Sequence, residues 1–173
     1  MPLFSVVIPL YNKQDYIAAC IQSVMNQSFR DFEIIVVNDC STDNTDNLIQ
    51  NIIKSNPTAE IKYIKHEKNS GKGAAIHSGI KNATGDYLII QDADLEYDPD
   101  DYPSLLQPII ENKADVVFGS RFIGEKHRVL YFWHRLGNGV LTLMSNMFTN
   151  LNLTDMETCY KVFRREIIQS IVI

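Results

Sequence analysis

Hydrophobic positions follow two different periods along this chain. Short, nearly continuous apolar runs of the kind found in buried parallel strands occur at five places, residues 5–8, 33–37, 61–64, 87–90 and 115–118. Apolar residues with the spacing of amphipathic helices recur around residues 17–25, 48–53, 71–83 and 105–112. Because strand and helix signals alternate, the pattern predicts an α/β fold with a mainly parallel, Rossmann-like sheet and helices on both faces.

The pattern changes after Gly119. Residues 119–129 have the composition of a basic loop, and the apolar stripe that follows predicts one more amphipathic helix. This stripe consists of Val140, Leu143, Met144, Met147 and Phe148. No repeat, low-complexity tract or linker divides the chain, so we expect residues 1–173 to form a single domain. Since the chain stops in an uncapped apolar run, residues 167–173, we expect this domain to be truncated at its C-terminus.

Composition and charge narrow the class of protein. The chain has 173 residues, of which 45% are hydrophobic and 21% charged, and this is typical of an ordinary globular domain. A net charge of −5 disfavours a nucleic-acid-binding protein, which normally carries a basic face. The three cysteines are widely spaced, so neither a zinc site nor a disulfide framework is indicated, and a reducing compartment fits best.

No segment of the sequence has the features of a signal peptide or of a confident membrane span. The N-terminus lacks a basic stretch followed by an apolar one. The nearest candidate for a span, residues 136–153, contains four asparagines and is too polar to cross a bilayer comfortably. We therefore expect a cytoplasmic protein, and attachment to the cytoplasmic face of a membrane is left open.

Two acidic residues closely follow the apolar run at residues 87–90. In open α/β sheets ligands bind outside the carboxyl ends of the strands, which is where Asp92 and Asp94 are predicted to lie. Mg²⁺ is commonly held by one or two carboxylates together with substrate phosphates, so this pair is a candidate site for a metal–diphosphate complex. The structural alternative is an acidic loop that caps the next helix.

Polar residues also follow the first two predicted strands. Tyr11 and Asn12 come after the first strand, and Asn38 and Asp39 come after the second. Because parallel strands end at one edge of a sheet, three separate loops can meet there over one ligand. A carboxylate such as Asp39 can accept hydrogen bonds from a base or from ribose hydroxyls, although Asn-Asp after a strand is also ordinary turn chemistry.

Several familiar nucleotide and hydrolase motifs are missing. The first predicted strand leads into PLYN rather than a G-x-G-x-x-G turn, and GKG at residues 71–73 lacks the spacing of a Walker A loop. No Ser-His-Asp pattern is built on a nucleophile elbow. These absences disfavour dinucleotide binding of the usual kind, P-loop chemistry and serine hydrolysis.

Four short motifs follow one another along almost the whole chain: VIPLYN at 7–12, VNDCSTD at 37–43, NSGKGA at 69–74 and QDAD at 91–94. Together they resemble the motifs of the family 2 glycosyltransferases. Downstream, GSRF at 119–122 and DMETCYKVFR at 155–164 are most similar to the polyprenyl- or dolichyl-phosphate sugar synthases of that family. The sequence departs from the family at Lys13, where an acid is common, and at residues 38–40, where Asp-Asp-Gly is common.

The resemblance implies a nucleotide-sugar-binding fold of the GT-A type and an inverting sugar transfer. It implies that Pro9, Tyr11 and Asp39 bind the donor and that Asp92 and Asp94 coordinate Mg²⁺ or Mn²⁺. The catalytic candidates are Asp92, Asp94, Asp155 and Arg121. The other candidates for substrate binding are Asn12, Lys72, Gln91, Ala93, Arg128, Arg135, Lys161 and Arg164.

Some of the basic residues have both a functional and a structural interpretation. Arg121, Arg128 and Arg135 can offer planar donors to donor or acceptor phosphates, or they can lie solvated on the surface. The apolar and aromatic residues 129–133 lie between Arg128 and Arg135. They could contact a lipid-phosphate headgroup at the membrane interface, or they could form the core beneath a helix that packs on the sheet. Lys72, between two glycines, either presents a cation at a helix start or marks a helix entry.

The acceptor is inferred from proton chemistry. A hydroxyl acceptor needs a general base, whereas a lipid monophosphate is already ionised near neutral pH because its second pKa is about 6. Asp155 is open to three roles: as a base, as a ligand of metal or water, or as an orienter of Lys161 and Arg164.

We therefore expect a metal-dependent transferase that moves a hexose from UDP- or GDP-hexose to a polyprenyl phosphate. Open alternatives are a carbohydrate hydroxyl acceptor in cell-surface polysaccharide synthesis, a non-catalytic nucleotide-binding module and a nucleotidyltransferase.

Overall fold

The computed structural model describes residues 2–121 and 132–171, and its centre is a six-stranded sheet with helices on both faces. The strands are β1 (Phe4–Leu10), β2 (Phe32–Asn38), β3 (Ile61–Lys65), β4 (Tyr87–Ile90), β5 (Val116–Phe118) and β6 (Lys161–Arg164). Their order is β3-β2-β1-β4-β6-β5; the first four of these are parallel, and β6 is antiparallel to both of its neighbours. The expected α/β fold with a mainly parallel sheet is confirmed.

The helices are α1 (Ile17–Asn26), α2 (Thr45–Ser55), α3 (Lys72–Asn82), α4 (Tyr102–Ile110), α5 (Phe132–Thr149) and α6 (Arg165–Ser170). The first five lie where helical periodicity predicts them, and a short 3-10 turn at Pro99–Asp101 leads into α4. The periodicity does not predict β6 or α6. β6 has only two apolar residues between two charged ones, so it lacks the apolar run that marks β4, and the six residues of α6 are too few to show a helical period.

β1 lies at the centre of the fold, and all seven of its residues are buried. One apolar cluster packs α1 and α4 against one face of the sheet, and a smaller cluster packs α3 and α6 against the other. α3 comes especially close, since a Cβ in place of Gly79 would lie 2.2 Å from Cγ1 of Val7 on β1. This contact fixes α3 across the central strands, with its first residue at their carboxyl edge.

The direction of β6 decides which of its ends faces the ligand edge of the sheet. In the antiparallel register Lys161 lies opposite Ile90, and Arg164 lies opposite Tyr87. Arg164 is therefore at the edge of the sheet where the parallel strands begin. There its Nε donates to Asp115 Oδ1 at 2.9 Å.

α5 is inverted in polarity relative to an ordinary surface helix. Its buried residues are Asn138 and Thr142, whereas the predicted apolar stripe faces outward, with Met147 73% and Phe148 83% exposed. The helix lies where the apolar stripe predicts it, but its apolar face is not turned toward the core.

The aromatic residues at the start of α5 are also exposed. Phe132 and Trp133 are 69% and 75% exposed, so they do not form core beneath a helix. Residues 129–131, the remainder of that predicted cluster, lie outside the described residues. Within the described residues, no helix has both the length and the apolar character needed to cross a bilayer.

Candidate active site

A cavity of about 380 Å³ opens at the carboxyl edge of the parallel strands, within the size range of ligand pockets. It is lined by Pro9, Leu10, Tyr11, Lys13, Asp39, Asn69, Gly71, Lys72, Ala75, Asp92, Ala93 and Asp94. The structure thus brings together seven of the predicted site residues: Pro9, Tyr11, Asp39, Lys72, Asp92, Ala93 and Asp94. They come from the end of β1, from the loops after β1, β2 and β4, and from the start of α3.

Asp39 uses its buried carboxylate to hold the segment that leads into α3. It accepts hydrogen bonds from the amides of Ser70 at 3.0 Å and Gly71 at 2.7 Å, and lies 2.7 Å from His66 Nδ1. Burial would raise the pKa of Asp39, but these hydrogen bonds outweigh it and hold the pKa below its usual value. The carboxylate is already engaged within the protein, so its contact with a base or ribose stays a prediction.

Asn12 fastens the loop after β1 to the loop after β2. Its side-chain oxygen accepts a 2.8 Å hydrogen bond from the backbone amide of Thr42. Its backbone amide donates a 2.9 Å hydrogen bond to Ser41 Oγ. Its φ of +50° is a left-handed conformation that asparagine tolerates better than most residues. These bonds shape the loops that form the cavity, and contact of Asn12 with a substrate stays a prediction.

Gln91 is buried beneath the acidic pair. Its side-chain oxygen accepts hydrogen bonds from the hydroxyls of Tyr102 at 3.0 Å and Tyr160 at 2.8 Å. Its Nε2 donates to the carbonyl oxygen of Asp92 at 3.0 Å. Gln91 therefore positions the chain where the acidic pair begins, and contact with a substrate stays a prediction.

Asp92 is paired with a lysine of the same cavity wall. Lys72 Nζ lies 2.7 Å from Asp92 Oδ2 and 3.7 Å from Cys159 Sγ. Burial would lower the pKa of Lys72, but the hydrogen bond and charge of Asp92 outweigh it and raise the pKa. Asp94 is held differently, since its Oδ1 accepts a 3.1 Å bond from the amide of Glu96.

The acidic pair fits a metal ion that brings its own phosphate ligands. Among the residues the structure describes, no three His, Cys, Asp or Glu side chains are grouped to hold a metal ion. Mg²⁺ and Mn²⁺ prefer oxygen ligands, and Mg²⁺ commonly takes one or two carboxylates with phosphate and water oxygens completing its shell. The carboxylates of Asp92 and Asp94 are such ligands, so they fit a metal that arrives with a diphosphate.

The other two catalytic candidates form a bidentate ion pair. Arg121 Nε lies 2.7 Å from Asp155 Oδ2, and Nη2 lies 2.9 Å from Oδ1, which also accepts a 3.0 Å bond from Asn138. Burial would raise the pKa of Asp155, but these hydrogen bonds outweigh it and lower the pKa. Of the three roles left open for Asp155, these contacts support the orienting role, and the side chain held is Arg121 rather than Lys161 or Arg164.

Three of the described basic residues predicted to bind substrate, Lys161, Arg164 and Arg135, do not line the cavity. Lys161 lies with its Nζ 5.3 Å from the centre of the Phe118 ring, and Arg164 is at the opposite edge of the sheet. Arg135 lies on α5, beside an apolar groove of that helix. Arg128 lies outside the described residues.

Besides the cavity-lining residues, His66 and Cys159 contact predicted site residues and are not themselves predicted from the sequence. His66 contacts Asp39 and, through Nε2 at 2.8 Å, Ser78 Oγ on α3. Its position just after the predicted strand at 61–64 is a signal that could have placed it at the ligand edge. Cys159 carries no such signal, because it reaches Lys72 only through the antiparallel return of the chain into β6.

Comparison with known protein families decides the class of this chain. The family model described as Glycosyl transferase family 2 matches residues 5–172. The chain belongs to glycosyl transferase family 2. TuaG of Bacillus subtilis, a glycosyltransferase whose name assigns it provisionally to teichuronic acid biosynthesis, is 34% identical over 117 residues. That match covers 68% of this chain and 46% of TuaG. The family indicated by the four sequence motifs is confirmed.

Two solved structures share the fold of this family 2 chain. TarS from S. aureus in complex with UDP-GlcNAc has a TM-score of 0.64 at 24% identity, covering 96% of this chain and 46% of that one. The mannosyltransferase PcManGT from Pyrobaculum calidifontis, in complex with GDP-Man and Mn²⁺, has a TM-score of 0.73 at 17% identity, with coverages of 98% and 46%. The likeness shows the GT-A type of fold. The chain spans less than half the length of each of these relatives.

Proposed function

We propose that this chain is the catalytic domain of an inverting glycosyltransferase. The enzyme moves a hexose from UDP- or GDP-hexose to a polyprenyl phosphate, with Mg²⁺ or Mn²⁺ as cofactor. The observation that carries the proposal is the cavity at the carboxyl edge of the sheet, with Asp92, Asp94 and Lys72 in its wall. Two carboxylates and a cation on one wall suit the diphosphate of a nucleotide sugar.

The donor is supported by the charges of the cavity and by the ligands of the solved relatives. TarS was solved with UDP-GlcNAc, and PcManGT with GDP-Man and Mn²⁺. A metal held by Asp92 and Asp94 would neutralise part of the charge on the diphosphate leaving group. Lys72 adds a cation to the same wall, and the ring of Tyr11, 44% exposed, offers a face for stacking.

The lipid-phosphate acceptor is supported by the state of Asp155. Its carboxylate is buried and bonded to Arg121 and Asn138, so it can take a proton from a hydroxyl only by giving up these partners. A lipid monophosphate needs no deprotonation near neutral pH. α5 also contains Arg135 but no acidic residue, and with its exposed apolar side it suits the surface of an anionic membrane.

A carbohydrate hydroxyl acceptor is the second candidate. It is favoured by the similarity to TuaG, whose name refers to teichuronic acid biosynthesis. In that case an acidic residue other than Asp155 would have to act as the general base, because Asp155 is committed to Arg121.

A transfer assay separates the two acceptors. The protein is incubated with radiolabelled UDP- or GDP-hexose, Mg²⁺ or Mn²⁺, and either a short polyprenyl phosphate or an oligosaccharide. We expect labelled sugar in the extracted lipid, and label in the oligosaccharide alone would reject the lipid acceptor. Asp94→Asn should lower transfer about 100-fold. Asp100→Asn serves as the control, because Asp100 is an exposed acid of the 3-10 turn at Pro99–Asp101 and does not line the described cavity wall.

A further inference from the structure

We propose that Lys72 is an exchangeable counter-ion. It pairs with Asp92 while the donor is absent, and it binds a diphosphate oxygen of the donor once a divalent metal has taken Asp92. The inference rests on the proposed function, because it requires a nucleoside-diphosphate donor. It gives Lys72 a part in both metal binding and nucleotide binding, beyond that of a residue at a helix entry.

The two partners of the ion pair differ in their access to water. The side chain of Asp92 is 11% exposed, whereas that of Lys72 is 54% exposed. A carboxylate with little access to water needs a cation or strong hydrogen bonds to remain ionised. Asp92 therefore keeps its pair with Lys72 until another cation replaces the ammonium. Once it is replaced, the exposed Lys72 side chain can turn into the cavity.

The surroundings of Lys72 give its ammonium a second contact and leave open space beside the backbone. Its Nζ has this second contact 3.7 Å from the thiol of Cys159. The backbone at the two flanking glycines is open, since a Cβ built at Gly71 or Gly73 would meet no atom of the rest of the chain within 4 Å. The flexible four-carbon stem of lysine lets its charge move by rotamer changes alone. A diphosphate oxygen can thus reach Lys72 without displacing protein atoms at these two glycines.

The balance of charge gives the exchange its direction. A divalent ion matches the two carboxylates of Asp92 and Asp94, and this leaves the Lys72 ammonium without its former partner. Repulsion from the metal and attraction to the diphosphate then act on Lys72 in the same direction. In that position its charge would stabilise the negative charge that develops on the departing nucleotide.

Binding measurements on Lys72→Met and a matched variant test this exchange. Lys13 is a second lysine of the cavity wall, with its Nζ 5.7 Å from the centre of the Tyr16 ring. Lys13→Met removes the same charge from the cavity but leaves the ion pair with Asp92 intact. Mn²⁺ binding to the nucleotide-free protein is followed by loss of the free-ion signal in electron paramagnetic resonance. Calorimetry with saturating Mn²⁺ gives the affinity for UDP and GDP, and circular dichroism verifies that each variant is folded.

Lys72→Met should raise the Mn²⁺ affinity about threefold to tenfold and weaken binding of the preferred nucleotide about tenfold. Lys13→Met should change the Mn²⁺ affinity less than about twofold, because it acts only through the general charge of the cavity. Equal effects of the two variants on Mn²⁺, or an unchanged nucleotide affinity in Lys72→Met, would overturn the exchange alone. A wild-type protein that binds neither UDP nor GDP with Mn²⁺ would overturn the proposed function as well.

Discussion

Asp155 and Asp115 each pair with an arginine, but the two pairs differ in their access to water. The side chain of Asp155 is 0% exposed, whereas that of Asp115 is 69% exposed. Removing one partner from a buried charged pair leaves the other without compensation, while water replaces a lost partner at the surface. Asp155 therefore stabilises the fold through Arg121, whatever part the pair has in catalysis.

We expect Asp155→Asn to lower the free energy of unfolding by about 1–3 kcal/mol, because Arg121 loses this charged partner. Asp115→Asn, which removes the same charge from the exposed pair with Arg164, should lower it by less than about 0.5 kcal/mol. Urea unfolding followed by circular dichroism measures both changes. An unchanged free energy of unfolding in Asp155→Asn would contradict this stabilising role.

At the scale of the element, α5 is attached to the protein by a stripe of polar side chains. The stripe consists of Asn138, Thr142 and Asn146, which share one face of the helix because they are four residues apart. All three bond to segment 153–156, which leads toward β6. Asn146 makes two of these bonds, donating to the carbonyl of Leu153 at 2.8 Å and accepting from its amide at 2.9 Å.

Asn146→Leu should lower the free energy of unfolding by about 1–3 kcal/mol although it makes the helix more apolar, because both backbone groups of Leu153 lose their partner. The matched change on the outward face, Leu143→Gln, should alter it by less than about 0.5 kcal/mol, because Leu143 is 60% exposed. Urea unfolding of the two variants gives the comparison. The opposite order of the two effects would mean that the apolar face of α5 is the buried one in solution.

The orientation of α5 shows what a hydrophobic period can and cannot predict. The spacing of Val140, Leu143 and Met147 identifies a helix with two unlike faces, and that helix is present. Which face is buried depends on the surface that the helix meets. Here that surface is the polar segment around Asp155, whose carboxylate and backbone groups need hydrogen-bond partners. No local pattern in the sequence carries this information.

For the whole molecule, the four parallel strands and β5 could be predicted, whereas β6 and the antiparallel pairs it forms could not. Parallel strands such as β1 are covered on both faces, so their apolar runs stand out in the sequence. β6 has only two apolar residues between charged ends, and its reversed direction carries Arg164 away from the ligand edge. Residues at the ends of parallel strands could likewise be placed at one edge. The ion pair between Lys72 and Asp92 depends on side-chain geometry that no periodicity records.

Glu33 is a buried carboxylate at the edge of the sheet where the parallel strands begin. Its Oε1 accepts hydrogen bonds from Ser5 Oγ at 2.6 Å and Thr84 Oγ1 at 2.8 Å, and its Oε2 pairs with Lys62 at 2.6 Å. One side chain on β2 thus links β1, β3 and the segment that leads into β4. Burial would raise the pKa of Glu33, but these partners outweigh it and lower the pKa from 4.5 to about 2.

Acid should therefore weaken the whole fold through Glu33. Because its pKa is lower in the folded than in the unfolded protein, ionised Glu33 contributes about 3 kcal/mol above about pH 4.5, and this is lost as the pH falls toward 2. Glu33→Gln should lower stability at neutral pH and remove this part of the acid dependence. Urea unfolding at a series of pH values measures both effects, with Glu111→Gln, whose pair with Lys113 lies at the surface, as the control. If Glu33→Gln lost stability in acid as steeply as the wild type, another group would be responsible.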